Sequence, residues 1–121
     1  MNEVFITGGT GYIGSRLISV LVKKNFRVNT LVRNGSEKKL PNEVNIVIGN
    51  ALDATTFSDK ISPSKIFIHM VGVSHPSPRK KQLFIDIDLK SIQESVRAAR
   101  EKGIEHFIYI SVASSEIMSG A

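Results

Sequence analysis

The chain has 121 residues, 41% of them hydrophobic and 22% charged, with a formal net charge of +5 at pH 7. This length predicts one domain with a buried core, and the absence of cysteine excludes disulfide bonds and thiolate chemistry. The longest basic run is 79–81, which is too short to indicate nucleic-acid binding. No apolar stretch approaches the roughly 18 residues of a membrane span, and the start of the chain lacks the basic region of a signal peptide. We therefore expect a cytoplasmic protein. Its positive charge suits an anionic ligand and is equally compatible with a solvated surface that binds no ligand.

Strands and helices are predicted to alternate along the chain, because short apolar runs are separated by segments with helical spacing of apolar residues. In chain order the predicted elements are strand Glu3–Thr7, helix Tyr12–Lys24, strand Arg27–Val32, strand Asn45–Ile48, a short helix Ala54–Asp59, strand Lys65–Val71, helix Gln82–Lys102 and strand His106–Ser111. This alternation is typical of a doubly wound α/β fold of the Rossmann type. The expected sheet is parallel, with strand order 3-2-1-4-5, helices on both faces and ligands at the carboxyl ends of the strands.

Apolar residues at helical spacing predict which face of each long helix packs on the sheet. For the first helix these residues are Ile13, Leu17, Val20 and Leu21. For the long second helix they are Leu83, Ile87, Ile92, Val96 and Ala99, and Gly103 is expected just beyond its C-terminus.

The last strand is apolar on both faces over Phe107–Ile110, although it is expected at the edge of the sheet. Exposed apolar edges promote pairing with other chains. We therefore expect this edge to be covered by the following tail, by a second protomer in a homodimer, or by a further part of a longer protein.

A glycine-rich segment joins the first strand to the first helix. Gly9, Gly11 and Gly14 fit the spacing G-x-G-x-x-G, in which the glycines allow a tight turn, the approach of a pyrophosphate and close helix–strand packing. The phosphates then lie at a helix N-terminus, where free N–H groups favour anions. Because the segment opens a unit of strand, helix and strand, we expect a dinucleotide site; the alternative is a plain strand-to-helix turn.

Residues 7–14 (TGGTGYIG) resemble the TGxxGxxG signature of the extended and atypical short-chain dehydrogenases/reductases. Residues 32–33 resemble the end of strand 2 in NmrA-like and other atypical members, 49–53 resemble the family's GDxxD turn, and 68–72 resemble its H-L-A/V-G segment. Residues 88–111 resemble its NVxGTxxLxxAAxxxGVxxFVYVSS region. The resemblance implies that 1–121 is an NAD(P)-binding Rossmann domain without the family's C-terminal substrate-binding part.

The same resemblance implies a set of cofactor-binding residues at the carboxyl ends of the strands. The pyrophosphate would be held by Gly8, Gly9, Thr10, Gly11, Tyr12, Ile13 and Gly14, the adenine by Asn50 and Ala51, and the ribose and nicotinamide side by Val71, Gly72, Val73 and Ser111.

The residue after the second strand distinguishes NADP from NAD. An acidic residue there binds the 2′-hydroxyl of NAD, whereas an arginine accommodates the 2′-phosphate of NADP. Arg33 holds this position, and its guanidinium can bind two phosphate oxygens at once. We therefore predict NADP as the cofactor, with NAD as the alternative; a surface arginine without a ligand is the competing interpretation.

The chain departs from the family at its catalytic positions. The family's Tyr-x-x-x-Lys pair is absent, because Tyr12 is followed four residues later by Arg16, and Tyr109 by Ala113. Asp88 stands where the family has asparagine, and Asn50 where it has aspartate. No catalytic residue is assigned, so whether the chain is an enzyme stays open.

The three histidines have different expectations. His69 is expected to be a packed or hydrogen-bonded core group, and His75 is the one considered as an acid or base, although a structural role is favoured there too. His106 is assigned no role, and no cluster of residues has the spacing of metal ligands.

Three functions are compatible with these features. The first is the NAD(P)(H)-binding domain of an oxidoreductase or epimerase acting on an unidentified small molecule. The second is a non-catalytic, NmrA-like module that senses redox state by binding NADP(H), and the third is a truncated product without activity.

Overall fold

A computed structural model describes residues 2–37, 40–61, 63–70 and 81–110, with the backbone alone for 81–85. Its strands are β1 (Glu3–Thr7), β2 (Arg27–Val32), β3 (Asn45–Ile48), β4 (Ile66–His69) and β5 (His106–Tyr109), and its helices are α1 (Tyr12–Lys23) and α2 (Lys81–Glu101). All five predicted strands and both long helices are confirmed, with ends within one residue except at the C-terminal ends of β4 and β5, which stop at His69 and Tyr109, two residues before the predicted ends. Val71 and Ser111, the predicted last residues of two strands, lie outside the described residues.

One predicted element has a different form. The short helix expected over Ala54–Asp59 consists of two 3₁₀ turns, Ala54–Thr56 and Ser58–Lys60. The Asp53 carboxylate caps the first turn by accepting from the Thr55 amide at 3.0 Å, and the chain bends at Phe57 before the second turn begins. The Phe57 side chain is buried in the core, which explains why the turns do not merge into one α-helix.

The five strands form one parallel sheet in the order β3-β2-β1-β4-β5, as predicted. The register pairs Thr7 with Leu31 on one side of β1 and with His69 on the other. Because β1 lies between β2 and β4, the chain leaves it toward one side and returns to the other. The carboxyl ends of β1 and β4 therefore meet beside the glycine-rich segment.

Each face of the sheet carries its own apolar core. The face covered by α2 is centred on three aromatic rings, with the ring centroids of Phe5 and Phe67 5.2 Å apart and those of Phe5 and Phe57 5.9 Å apart. The face covered by α1 is aliphatic and includes Ile6, Ile18 and other buried or partly buried side chains. Burial on both faces accounts for the near-continuous apolar character of β1 and β4.

The face that α1 buries differs from the predicted one. Gly14 and Ile18 are buried and Leu17 and Leu21 are partly buried against the aliphatic core, but Ile13 is 43% exposed and Val20 is 47% exposed. Gly14 brings the helix so close to the strands that the contact line runs through Gly14 and Ile18. Ile13 and Val20 consequently lie at its margins.

The expected apolar stripe of α2 is also only partly correct. Ala99 is buried and Ile87 and Ile92 are partly buried, but Val96 is 37% exposed, and the side chain of Leu83 lies outside the described residues. Over 86–101, where the structure describes the side chains of this helix, the fully or nearly fully buried positions are Ser91, Glu94, Ser95, Ala98 and Ala99. Three of these five are polar, and their hydrogen bonds are described below.

Candidate functional site

The glycine-rich segment forms a tight turn between β1 and α1. Gly8 has a φ of 78°, in the left-handed region that favours glycine, and its carbonyl accepts from the amide of Gly11 at 3.3 Å. A Cβ on Gly14 would contact the Gly8 carbonyl oxygen and lie 2.8 Å from Cα of Gly9, closer than side chains tolerate. A Cβ on Gly9 would lie 2.6 Å from Cγ2 of Thr30, so both glycines are required for close packing.

Gly11 has a different environment. A Cβ there would meet only the Gly8 carbonyl oxygen, at an ordinary contact distance of 3.6 Å. Gly11 is exposed, so the backbone at this point has open space on its outer side. A glycine that packing does not require leaves the backbone accessible to a ligand.

The first turn of α1 has N–H groups that no side chain caps. Gly11 occupies the N-cap position, makes no side-chain cap, and is followed by no acidic residue in the first turn. The first hydrogen bond of the helix joins the Ser15 amide to the Gly11 carbonyl at 2.9 Å. The amides of Tyr12 and Ile13 precede that bond and point away from the helix, where the helix dipole favours an anion.

Arg33 lies directly after β2 on the same edge of the sheet. It is exposed, and it makes no ion pair with the residues that the structure describes. Its carbonyl accepts from the Ser36 amide at 3.0 Å in a turn that contains Gly35 at a φ of 97°. Arg33 therefore follows the carboxyl end of β2 with an exposed side chain that has no acidic partner among the described residues.

The turn after β3 is fixed by hydrogen bonds. The Asn50 amide donates to Oγ1 of Thr56 at 2.9 Å, and Oδ1 of Asn50 accepts from the amide of Leu52 at 2.9 Å. Because Oδ1 accepts within the turn, the Nδ2 group is the donor that this exposed side chain can offer to a ligand. The hydroxyl and the amide of Thr55 lower the pKa of Asp53, which keeps this cap ionised.

His69, at the end of β4, lies in a buried cluster of hydroxyl groups. Its Nδ1 lies 2.7 Å from Oγ1 of Thr7 and 3.1 Å from Oγ of Ser95, and its Nε2 lies 3.4 Å from Oγ of Ser91. All four side chains are 0% exposed. Burial lowers the pKa of His69 from 6.5 to about 4, so the ring is neutral at pH 7. The prediction of a hydrogen-bonded core histidine is confirmed.

Asp88 lies on α2 one turn before this cluster. Its Oδ1 is buried and has no hydrogen-bond partner among the described residues, and burial raises the pKa of the carboxyl above its usual value. Its carbonyl accepts from Oγ of Ser91 at 2.9 Å. The side chain is therefore a destabilising feature close to the ends of β1 and β4.

The structure brings together part of the predicted site. The segment Gly8–Gly14, Arg33 and the pair Asn50–Ala51 lie at the carboxyl ends of adjacent strands. Val71, Gly72, Val73, Ser111 and His75 lie outside the described residues, so the nicotinamide side stays a prediction. Among the described residues, no group of three or more His, Asp or Glu side chains is arranged to hold a metal ion.

Sequence reasoning missed the polar contacts of α2. Ser91, Ser95 and Glu94 were not predicted as buried, and Glu94 accepts from the amide of Ala54 at 2.9 Å. The spacing i, i+3, i+4 of these three residues is a signal for one helix face. A polar face in that pattern was not distinguishable from a solvent-exposed one until its partners were known.

The comparisons with known proteins agree on family and fold. A model of the family described as "NmrA-like family" matches residues 1–121. The chain is 23% identical to a 3-beta-hydroxysteroid dehydrogenase of Mycolicibacterium neoaurum, covering 99% of this chain and 34% of that protein. It is 28% identical to a Mus musculus protein named as a member of the short-chain dehydrogenase/reductase family, covering 89% of this chain and 29% of that protein.

Solved structures share the fold at low sequence identity. A Bifidobacterium longum UDP-glucose 4-epimerase, in complex with NAD+ and UDP, superposes with a TM-score of 0.78 and 20% identity, covering 93% of this chain and 37% of that one. The chain thus spans about a third of the length of the relatives it matches. Among the helices that the structure describes, none combines the length and apolar character of a membrane-spanning segment.

Proposed function

This chain belongs to the NmrA-like family, and we propose that it is the NAD(P)(H)-binding domain of an oxidoreductase or epimerase of the short-chain dehydrogenase/reductase type. The observation that carries the proposal is the segment Gly8–Gly14, which leads from the carboxyl end of β1 into the uncapped start of α1. Structural neighbours whose descriptions include bound NAD or NAD+ support the dinucleotide as the ligand.

The pyrophosphate would lie against Gly11. The backbone there has open space, whereas the space beside Gly9 and Gly14 is filled by neighbouring atoms where α1 packs on the strands. The amides of Tyr12 and Ile13 would donate to its oxygens, since the N-cap residue, Gly11, provides no side-chain cap for this helix. These features fit a dianionic group that approaches the backbone closely, and Thr10 completes the loop around it.

The adenosine end would extend toward β2 and β3. Arg33 would bind the 2′-phosphate of NADP, because its exposed guanidinium has no acidic partner among the described residues and can bind two phosphate oxygens. Asn50 and Ala51 would contact the adenine, with Nδ2 of Asn50 as donor. We therefore propose NADP in preference to NAD.

The nicotinamide end would lie beyond β4 and β5, near Val71, Gly72, Val73 and Ser111. The bound nicotinamide would supply hydride transfer, and this chain would bind and orient the dinucleotide. We assign no substrate, and we propose no residue of 1–121 as a substrate contact. Residues 1–121 are proposed as one dinucleotide-binding domain to which a substrate-binding part is added.

Titration of the purified chain with NADPH and with NADH, followed by nucleotide fluorescence, tests the proposal. We expect tighter binding of NADPH, and Arg33→Ala should weaken it about 10- to 100-fold, the loss expected for a charged hydrogen bond, while NADH affinity stays constant. The matched control is Arg100→Ala, which removes an exposed arginine from the last turn of α2. Equal binding of both nucleotides would keep the site and remove the role of Arg33, and binding of neither would refute the proposal.

A second function is favoured by one sequence observation. Neither Tyr12 nor Tyr109 is followed by lysine four residues later, so these residues lack the family's catalytic pair. A module that binds NADP(H) and senses redox state needs no such pair. Tight binding of NADP(H) with no oxidation or reduction of the nucleotide by any added carbonyl or alcohol would favour this function.

A further inference from the structure

The buried His69 cluster joins three elements at the point where the glycine-rich segment begins. Thr7 is the last residue of β1, His69 is the last residue of β4, and Ser91 and Ser95 are one turn apart on α2. Backbone bonds reinforce the junction, because the Met70 amide donates to the Thr7 carbonyl at 2.9 Å and the Ile110 amide to the His69 carbonyl at 2.9 Å. Gly8, with its left-handed φ, follows Thr7 directly.

The hydrogen bonds define which ring nitrogen of His69 carries the proton. The hydroxyl of Ser91 already donates to the Asp88 carbonyl at 2.9 Å, so its oxygen is free only to accept. Nε2 therefore carries the hydrogen and donates to Ser91, which leaves Nδ1 as an acceptor. Oγ1 of Thr7 is the closer of the two hydroxyl groups at Nδ1, at 2.7 Å against 3.1 Å for Ser95.

The cluster is more polar than packing at this place requires. The ring of His69 lies beside two aromatic residues of β5, 6.4 Å from the centroid of Phe107 and 5.5 Å from that of Tyr109. An apolar side chain would fit such surroundings without needing three hydroxyl partners. What the imidazole adds is direction, because each hydrogen bond fixes the position of one partner.

We infer that His69 is a positioning residue for the dinucleotide. Its Nδ1 holds the hydroxyl of Thr7 and thereby fixes the chain direction into Gly8 and the phosphate-binding segment. The hydrogen bonds to α2 anchor the ring, so that the end of β1 is held against both β4 and α2. This inference rests on the proposed nucleotide binding, and it assigns a binding role to contacts that lie behind the glycine-rich segment.

The test compares isosteric variants of Thr7 in the full 121-residue chain. Thr7→Val removes the hydroxyl and keeps the shape, whereas Thr7→Ser keeps the hydroxyl. Thr30→Val is the matched control, because Thr30 is equally buried in the neighbouring strand and its hydroxyl has no hydrogen-bond partner within the described ranges. For each variant the dissociation constant of NADPH and the thermal unfolding midpoint are measured.

We expect Thr7→Val to weaken NADPH binding about tenfold, as for the loss of one buried hydrogen bond, and Thr7→Ser to bind like the unaltered chain. Thr30→Val should bind normally. At His69, an asparagine places its oxygen near the Nδ1 position and a glutamine places its amide near Nε2. His69→Asn should therefore retain more NADPH affinity than His69→Gln at equal thermal stability.

Several outcomes would overturn the inference. It fails if Thr7→Val binds NADPH normally, or if the affinities of the His69 variants only follow their unfolding midpoints. If Thr7→Val does not fold, Ser95→Ala is the second variant. Normal NADPH binding by Ser95→Ala and by His69→Gln, each as a single variant, would then refute the positioning role of His69. If the unaltered chain binds neither NADPH nor NADH, the proposed function fails and the inference fails with it. If the unaltered chain binds NADPH and the variants bind equally well, only the inference about His69 fails.

Discussion

Buried polar side chains in this molecule are satisfied unequally. His69 has three hydroxyl neighbours, whereas Oγ1 of Thr30 and Oδ1 of Asp88 are buried without a partner in the part of the chain that the structure describes. A buried polar atom without a hydrogen bond lowers stability, because it loses its water and gains nothing in exchange. These residues therefore respond differently to pH and to substitution.

Acidification should destabilise the chain through His69. Its pKa is lowered from 6.5 to about 4 in the folded state, so the unfolded chain binds the proton more readily. The free energy of unfolding therefore falls as the pH drops below about 6.5, by roughly 3 kcal/mol by pH 4. Urea unfolding at pH 7 and pH 4.5 measures the loss. His69→Asn should show a smaller one, and an equal loss in both chains would contradict this origin.

Replacing Asp88 by asparagine should stabilise the chain at neutral pH. The pKa of Asp88 is raised by burial, so its ionised form is disfavoured in the folded state. The cost is absent well below its usual pKa of 3.8 and appears as the pH rises through that value to the raised one. We expect Asp88→Asn to raise the free energy of unfolding at pH 7 by about 1 kcal/mol, measured in urea. An exposed neighbour, Asp86→Asn, is the control.

At the scale of elements, α2 holds the carboxyl edge of the sheet with polar groups. Its serines contact His69, and Glu94 accepts from the amide of Ala54 at 2.9 Å in the turn that follows β3. Lys90 and Arg97 lie 3.7 and 3.9 Å from the same carboxylate. The helix thus ties the turn expected to contact adenine to the strand that precedes the nicotinamide side.

Glu94→Ala should loosen that turn. The amide of Ala54 would be buried without an acceptor, which costs about 2 kcal/mol. Hydrogen exchange of the Ala54 amide should become faster in Glu94→Ala than in Glu94→Gln, which keeps a carbonyl acceptor. Unchanged exchange in Glu94→Ala would show that another group satisfies this amide.

Two glycines in the segment before α1 should have separable effects. A Cβ at Gly14 would lie 2.8 Å from Cα of Gly9, so Gly14→Ala should cost about 1–3 kcal/mol by overpacking. At Gly11 the nearest atom would be 3.6 Å away, so Gly11→Ala should fold with nearly normal stability but lose NADPH affinity. Thermal unfolding and fluorescence titration distinguish the two, and normal NADPH binding by Gly11→Ala would exclude the proposed pyrophosphate position.

At the scale of the whole molecule, β5 is one of the two edges of the sheet among the described residues, and β3 is the other. Ile108 is 44% exposed and Tyr109 is 50% exposed. The three predicted covers, namely the tail, a second protomer or a further part of a longer protein, stay open. The relatives are about three times as long as this chain. Of the three covers, we therefore propose that a further part of a longer protein covers β5.

The exposed edge should make the isolated chain associate at high concentration. Ile108→Lys places a charge on the edge and should reduce association while changing the free energy of unfolding by less than about 1 kcal/mol. Light scattering over a concentration series measures this effect, with Val20→Lys on the exposed side of α1 as the control. Equal association of both variants with the unaltered chain would exclude β5 as the contact.

The sequence was sufficient for the element order, the parallel sheet and its strand order. These follow from local patterns: apolar runs mark strands that are buried on both faces, and glycine spacing marks the turn between β1 and α1. Gly103, just beyond the end of α2, has a φ of 70° and was predicted in the same way, because a left-handed residue there is a local requirement. The resemblance to the NmrA-like and other atypical members likewise depends on short motifs that need no structure to be read.

Only the tertiary structure decided which helix residues are buried. On α1, close packing at Gly14 moves the contact line away from Ile13 and Val20. On α2, Ser91, Glu94 and Ser95 are buried because their hydrogen-bond partners, His69 and Ala54, come from distant parts of the chain. A polar side chain can be buried only where a partner compensates for its lost water, and that partner is identified by the fold and not by the neighbouring sequence.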